Sequence, residues 1–427
     1  MVDNLSNLSV PRILFLGINS SGWFFQNLWH LQQKILNLMP GSIIYGPGFQ
    51  YTNNYVPEII SERFGDCLPD AVFCFITERR LLGEPFDEAH CRRYGLEGDL
   101  TVFPRGLKDT KLPKIMWITD FWSCTRDEWD HILLGNGFDF ALSTCCPPFG
   151  SRAVFDRFFS QRVQEAVRFV PWPHSISTEL FRDYGLPKLY DVTLLGLLAE
   201  KYYPLRTAMA KAFADERAIT YFSNAHPGYD YISSTEALVG EAYAKVLNQS
   251  RIFASCTGIY GIAFQKIYEA MASKAVMLCD RPYGAEYLGF IDRENYLVVT
   301  ENNFIEVAKH YLRYPDELDR ISANGRSLVE NCHSVDVRAA EFRDTITSLI
   351  CREEPTGWAE LFDDCRRTDR QWLDVRDAVI AKWRIYRTAK RHQNAIMLHL
   401  RSTVSRILRR LRHLVGISRS ILPINRI

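Results

Sequence analysis

A β/α alternation that runs through the first part of the chain and then starts again is the feature that most limits how it can fold. Short apolar, β-branched or aromatic runs recur at Arg12–Gly17 (RILFLG), Ser42–Tyr45, Ala71–Ile76, Lys114–Thr119, Phe138–Ser143 and Arg168–Val170, each followed by a polar or Gly/Pro-rich turn. Gly22–Leu38 carries helix-length apolar spacing. Apolar runs without polar alternation belong in strands buried on both faces, and strands that alternate with helices make parallel sheets covered on both sides. Pro171-Trp172-Pro173 and then Asp183–Lys188 (DYGLPK) interrupt the pattern. It resumes at Tyr190–Gly196 (YDVTLLG), again a strand ending in Gly, and continues through Ala218–Phe222, Arg251–Ser255, Ala275–Cys279 and Tyr296–Val299. Helical patterns lie between these at Pro204–Ala214, Ser234–Leu247 and Phe264–Ser273, and three more follow at Asn303–Tyr314, Pro315–Cys332 and Val335–Ile350.

The expectation is two tandem Rossmann-like, doubly wound α/β domains, residues 1–175 and 176–350, with a helical extension over 351–427. A length of 427 residues is too great for one ordinary domain and fits this division. In such sheets ligands bind beyond the carboxyl ends of the strands, and two such domains enclose a cleft suited to a small molecule. Apolar residues at 47% and charged residues at 24% exclude disorder throughout. The 11 cysteines are odd in number and form no CxxC, which fits reduced thiols better than a disulfide framework or a zinc site. The run Ile13–Leu16 is too short for a signal-peptide core, and no stretch approaches the roughly 20 apolar residues of a spanning helix. A cytoplasmic protein is the expectation. No Ser/His/Asp triad, HExxH or Walker loop is visible.

The densest chemical signal is Cys256–Asp280, CTGIYGIAFQKIYEAMASKAVMLCD, read as strand, Gly-bearing loop, helix, strand. Gly258 and Gly261 let backbone approach a ligand, and the helix after them offers unpaired N–H groups at its positive end. Lys266 and Glu269 are three apart and share a helix face. A cation there can neutralise phosphate charge, and a carboxylate one turn on can accept both hydroxyls of a ribose. The same residues also read as an ordinary turn followed by a solvated Lys–Glu pair.

The whole string KIYEAMASKAVMLCD resembles the donor-site signature of glycosyltransferases with the two-domain GT-B fold, and most resembles the spore-protein glycosyltransferase-like branch of the group 1 enzymes. Lys188–Arg206 (KLYDVTLLGLLAEKYYPLR) is similar to the opening of that branch's second domain, and Asn248–Ala254 to the strand before its donor loop. Tyr311–Arg338 is similar to its closing helices, with Leu312, Pro315, Arg320, Gly325, His333 and Arg338 in place. Tyr45–Gly48 and Lys114–Asp120 resemble its first-domain pattern. The resemblance implies a nucleoside-diphosphate sugar as donor, with Glu269 on the ribose and Lys266 and Arg206 facing the diphosphate. Gly196 and Gly261 would give it room, and Thr257, Gly258 and backbone near Tyr260 would complete the cradle. It implies no metal and no cofactor. Three positions depart from the pattern. Gly261 stands where larger relatives carry the first Glu of Glu-x7-Glu, Lys274 replaces a usual Gly, and Ser177 replaces a frequent Asp.

Glycosyl transfer needs charge stabilisation on the leaving diphosphate, and an inverting route needs a base at the acceptor hydroxyl. Asp120, at the end of the Ile115–Thr119 strand, is one candidate, with helix capping as its other reading. His174 in the interdomain connection is the second, with a hinge role as the alternative. His226 could reach the cleft or serve a turn, and Asn19-Ser20-Ser21-Gly22 could bind acceptor or phosphate. Twelve of the 51 basic residues but none of the 50 acidic ones lie between Ile380 and Ile427. There Met397, Leu400, Val404, Leu408, Leu411 and Val415 form one helical stripe, and arginines occupy the rest. Such a segment, 394–427, can lie on an anionic membrane at the inner face, pack on the acidic body, or bind a partner. Nucleic acid is not expected. The reading is a metal-independent sugar transferase acting on a glycan or lipid-linked acceptor in cell-envelope or surface-glycan synthesis. A non-catalytic interaction protein and a sugar-nucleotide epimerase or phosphorylase on the same fold are the alternatives.

Overall fold

The computed structural model describes residues 10–21, 26–145, 152–224 and 238–350. Strands β1 (Ile13–Leu16), β2 (Ile43–Tyr45), β3 (Ala71–Cys74), β4 (Lys114–Ile118), β5 (Phe140–Ser143) and β6 (Arg168–Pro171) form one sheet in the order β2-β1-β3-β4-β5-β6. Strands β7 (Tyr190–Leu195), β8 (Tyr221–Asn224), β9 (Ser250–Ala254), β10 (Val276–Cys279) and β11 (Leu297–Val298) form a second, in the order β11-β10-β9-β7-β8. The strand pairs of both sheets are parallel. Strands β1, β3 and β10 are buried at every residue, as their unbroken apolar runs require.

Helices α1 (Gln26–Leu38), α2 (Val56–Phe64), α3 (Glu78–Leu81), α4 (Glu88–Tyr94), α5 (Arg126–Leu133), α6 (Arg152–Phe158) and α7 (Gln161–Ala166) alternate with the first set of strands. Helices α8 (Pro204–Asp215), α9 (Gly240–Asn248), α10 (Gln265–Ala272), α11 (Phe304–Arg313), α12 (Pro315–Leu328) and α13 (Val335–Ile350) accompany the second. Local chemistry sets several of their starts. Thr125 and Glu128 close a reciprocal capping box on α5, Asp87 caps α4, and Pro204 and Pro315 occupy the first positions of α8 and α12.

The two-domain α/β expectation is therefore the observed architecture, with differences of detail. The strand expected at Ala218–Phe222 lies at Tyr221–Asn224, because residues before it are drawn into a turn where Ala218 N donates to the Glu216 carboxylate. Helix α12 stops at Leu328 and continues as a π-helical turn, Val329–His333, which seats the His333 ring 2.9 Å from the Leu288 carbonyl.

A larger difference concerns α13, expected within the second domain as residues 335–350. Its Val335, Ala339, Phe342, Ile346 and Leu349 pack on Ile13, Phe15, Phe73 and Trp172 beneath the first sheet. The Phe342 ring lies 4.9 Å from both Phe73 and Trp172. Burying each of the Val, Phe, Ile and Leu side chains is worth about 1.5–3 kcal/mol, and the first sheet supplies the apolar face they pack on. The chain crosses back where Ile176 pairs with Ser334, with Ile176 N donating to His333 O and Val335 N to Ile176 O. The expected basic helix in 394–427 lies outside the described residues, and none of the described helices is long and apolar enough to cross a membrane.

Candidate functional site

In the second sheet, β8 lies on one side of β7 and β9 on the other, so the connections diverge between β7 and β9. In sheets of this kind the ligand crevice lies there, at the carboxyl ends of the strands. Gly196 follows β7 with φ +129°, and a Cβ added to it would lie 2.4 Å from Lys266 Nζ and 3.6 Å from Arg206 Nη1. Two cations thus converge on one point.

Arg206, in the first turn of α8, is 2% exposed and donates to the carbonyls of Leu197 and Cys256 at 3.3 and 3.4 Å. Its guanidinium lies over the Tyr203 ring at 4.1 Å, and its Nε has no partner among the described residues. Lys266, in the first turn of α10, donates to Leu195 O at 3.3 Å. Burial, and after it the Arg206 charge, lower its pKa to about 7. The start of α10, the turn that carries Lys266, leaves its first N–H groups without a side-chain cap. Facing cations beside unpaired N–H groups make a place for an anion with several oxygens.

The loop from Thr257 to Phe264 differs from expectation in how it is used. Asp280 takes both the Thr257 N–H, at 2.8 Å, and its hydroxyl. Thr257 therefore fixes the loop and has its N–H and hydroxyl proton already engaged. Gly258 and Gly261 have φ of +68° and +66°, and the room they leave is filled by protein. An added Cβ would meet Tyr202 O at 3.1 Å in the first case and the Tyr283 ring at 2.4 Å in the second. Tyr260 is 4% exposed and stacks on Trp122 of the first domain, centroids 5.2 Å apart, with Phe121 edge-on at 5.4 Å. Of the residues expected to hold a donor, Gly196, Arg206 and Lys266 meet at one point. Thr257, Gly258, Tyr260 and Gly261 shape and seat the loop.

Glu269, one turn beyond Lys266, is 8% exposed and faces the first domain. Its Oε1 accepts from Gln265 Nε2 at 2.8 Å and from Asn27 Nδ2, on α1, at 2.9 Å. Burial raises its pKa, against the opposing pull of Gln265, Lys266, Tyr243 and Asn27. Asn27, Gln265, Tyr243 and Asp280 were not singled out from sequence as site residues. Gln265 carried a local signal in its i, i+4 spacing to Glu269, and Asp280 closes the quoted signature string.

Asp120 follows β4 and immediately precedes Phe121-Trp122, the residues that touch the donor-side loop. It stands at the capping position of a short 3₁₀ turn, yet its carboxylate makes no capping hydrogen bond. Asp120 is an exposed residue, yet the protein crowded around its carboxyl, and after that Glu78, push its pKa up to about 7. His174 lies elsewhere in kind. Its ring is 6.1 Å from Tyr268, and burial together with Arg338 lowers its pKa to about 4. Arg338 also meets His333 Nδ1 at 2.6 Å, so His174 belongs to a packed histidine–arginine hinge. Asn19 is tied to Gly48 O at 3.0 Å and to Ser21 N at 3.0 Å, which braces the loop after β1. Ser20 Oγ is buried without a partner among the described residues. Gly22 and His226 lie outside the described residues.

A family model described as glycosyl transferase-like matches residues 205–344, which span α8 to α13. Among solved structures, Anabaena HepE in complex with UDP and glucose superposes with a TM-score of 0.50 at 11% identity, over 79% of this chain and 100% of that one. Sucrose-phosphate synthase from Thermosynechococcus elongatus does so with a TM-score of 0.44 at 12% identity, over 80% of this chain and 100% of that one. No curated protein sequence matches the chain. The first superposition is a likeness of fold, the paired α/β domains of the GT-B architecture.

Proposed function

We propose that this chain, a GT-B-fold protein whose residues 205–344 belong to the glycosyl transferase-like family, moves a sugar from a nucleoside-diphosphate donor to an acceptor hydroxyl. The observation that carries this reading is the meeting of Lys266 and Arg206 at Gly196, beside the uncapped start of α10. A diphosphate placed there would gain two counter-charges and a set of N–H donors, and those charges would stabilise the leaving group without a metal. Glu269 would accept the ribose hydroxyls one helical turn away.

Asp120 is the base candidate the geometry favours. Its carboxylate is free of capping duty, sits at the edge of the first domain next to the loop contact, and is tuned toward neutrality, where a general base works best. His174 is not assigned to the chemistry, since burial and Arg338 leave it a weak base packed within the hinge. UDP stands as the nucleotide to try first, because HepE carries UDP and glucose in a like fold. The basic segment 394–427 supports an acceptor held at an anionic surface, a glycan or lipid-linked hydroxyl at the inner face of a membrane.

Calorimetry with UDP on Glu269→Ala and Lys266→Ala tests the site. Both should bind at least tenfold more weakly than the parent chain, and equal affinity in both would remove the assignment. For the tail, co-sedimentation with anionic vesicles should be lost when residues 394–427 are deleted.

A further inference from the structure

Helix α1 turns one polar face toward the seam between the two domains. Gln26 lies against Gly240 at the start of α9, where an added Cβ would sit 3.4 Å from its Nε2. Asn27 reaches Glu269, His30 Nδ1 meets Ser177 Oγ, and Lys34 pairs with Asp336 at 2.8 Å and Glu179 at 3.8 Å. Residues 27, 30 and 34 share a helix face, so one rigid element touches the donor helix and the interdomain connection together.

Asn27 is the member that reaches the proposed nucleotide anchor. It is 3% exposed, and its Oδ1 accepts the backbone N–H of the fully buried Ser177 at 2.8 Å. That contact fixes the amide, so Nδ2 must be the atom presented to Glu269. We infer that Asn27 is a positioning residue that makes the nucleotide anchor conditional on the closed arrangement of the two domains, by supplying the one Glu269 donor that comes from the first domain among the described residues.

A nearly sealed carboxylate stays ionised only if hydrogen-bond donors replace the water it has lost. Gln265 and Tyr243 travel with the second domain, whereas Asn27 travels with the first. Parting the domains removes Asn27 and readmits water to the carboxylate, so Glu269 loses the donor that aims it and accepts a ribose diol less well. By linkage, whatever Asn27 adds to nucleotide affinity, the nucleotide adds to closure. The inference rests on the reading of Glu269 as the ribose anchor. The other titratable groups facing Glu269 are Lys266 on its own helix and Tyr243 on α9. Lys266 acts on the alkaline side, and His30 is engaged with Ser177.

The test is UDP affinity by calorimetry from pH 5 to 9 on the full chain, for Asn27→Ala, Asn27→Asp and Glu269→Gln, alone and combined. Asn27→Asp keeps the size and the Ser177 contact, cannot donate when ionised, and sets a like charge against Glu269. Both Asn27 variants should weaken UDP binding about tenfold at neutral pH, the scale of one hydrogen bond to a charged group, with Asn27→Asp the weaker binder. Both should also move the acid-side loss of affinity to higher pH, an effect that a general packing defect lacks. In the Glu269→Gln background that shift should vanish. Parental affinity and an unmoved acid limb in Asn27→Asp overturn the inference, as does an equal loss with and without the Glu269 carboxyl. If Glu269→Gln itself binds as the parent does, the anchor reading falls first. If it binds weakly while the Asn27 variants are unchanged, only the coupling falls.

Discussion

Gly196 and Lys266 are 70 positions apart in sequence, yet Nζ of Lys266 lies 2.4 Å from the point where a Cβ on Gly196 would stand. The ammonium fills the space a side chain would take, because Gly196 holds φ +129°, which L side chains rarely adopt. Gly196→Ala should therefore displace Lys266 and strain the turn together. A loss of UDP affinity of about tenfold or more is expected by calorimetry, with a fall in melting temperature from the backbone strain of about 1–2 kcal/mol. Unchanged UDP binding in a folded variant would detach Lys266 from the anion site.

The lowered pKa of Lys266 sets a pH dependence with a definite sign. In the free protein the group gives up its proton near pH 7, while a bound diphosphate would keep it protonated. Binding above pH 7 must then take up a proton, and affinity should fall by up to about tenfold per pH unit as the pH rises. Titrations in buffers of different ionisation enthalpy would count that proton, and Lys266→Met should abolish it. For stability the sign is the reverse. The unfolded chain holds this proton up to the ordinary lysine range, so this group's contribution to the stability of the free protein should rise between pH 7 and that range.

Asp120→Asn should leave UDP affinity within about twofold and lower turnover by about 10²–10⁴, the range for a general base. Because the carboxyl is pushed up to about 7, turnover of the parent should decline as pH drops through that value and protonates it. Transfer and donor hydrolysis measured between pH 5 and 9 check both statements. Full turnover in Asp120→Asn would remove it as the base.

Lys274 occupies a backbone site with φ +63°, at the position where the resembled signature carries Gly. Its ammonium is 3.1 Å from Asp183, and that pair is partly open to solvent. The left-handed conformation costs a side chain about 1–2 kcal/mol, whereas an exposed pair returns at most about 1 kcal/mol. Lys274→Gly should thus melt at or above the parent temperature, and Lys274→Ala below it, since Ala keeps the strain and loses the pair. Thermal unfolding of the three proteins decides the point.

Much of the second domain could be read along the chain. Gly196, Arg206 and Lys266 sit in local patterns, namely a strand ending in Gly, a Tyr-Pro-x-Arg helix start and a Gly-bearing loop before a helix, and each pattern places its residue at the same end of the sheet. The strand positions were legible for the same reason, because a parallel strand buried on both faces must be a short unbroken apolar run. The choice between the two readings of Asp120 was not legible, as capping depends on a side-chain rotamer and not on residue type.

What the sequence by itself determined was the succession of strands and helices, the restart near residue 190, and the residues able to meet an anion at the ends of β7 and β9. Only the tertiary structure decided that α13 returns to the first sheet, that the room at Gly258 and Gly261 is spent on protein, that Thr257 is held by Asp280, and that Asn27 reaches Glu269. The physical reason is range. Backbone periodicity and turn chemistry act over a few residues and leave their mark locally. The partner of a buried polar group or an apolar face is set by which elements close packing brings together, here across 242 positions between Asn27 and Glu269.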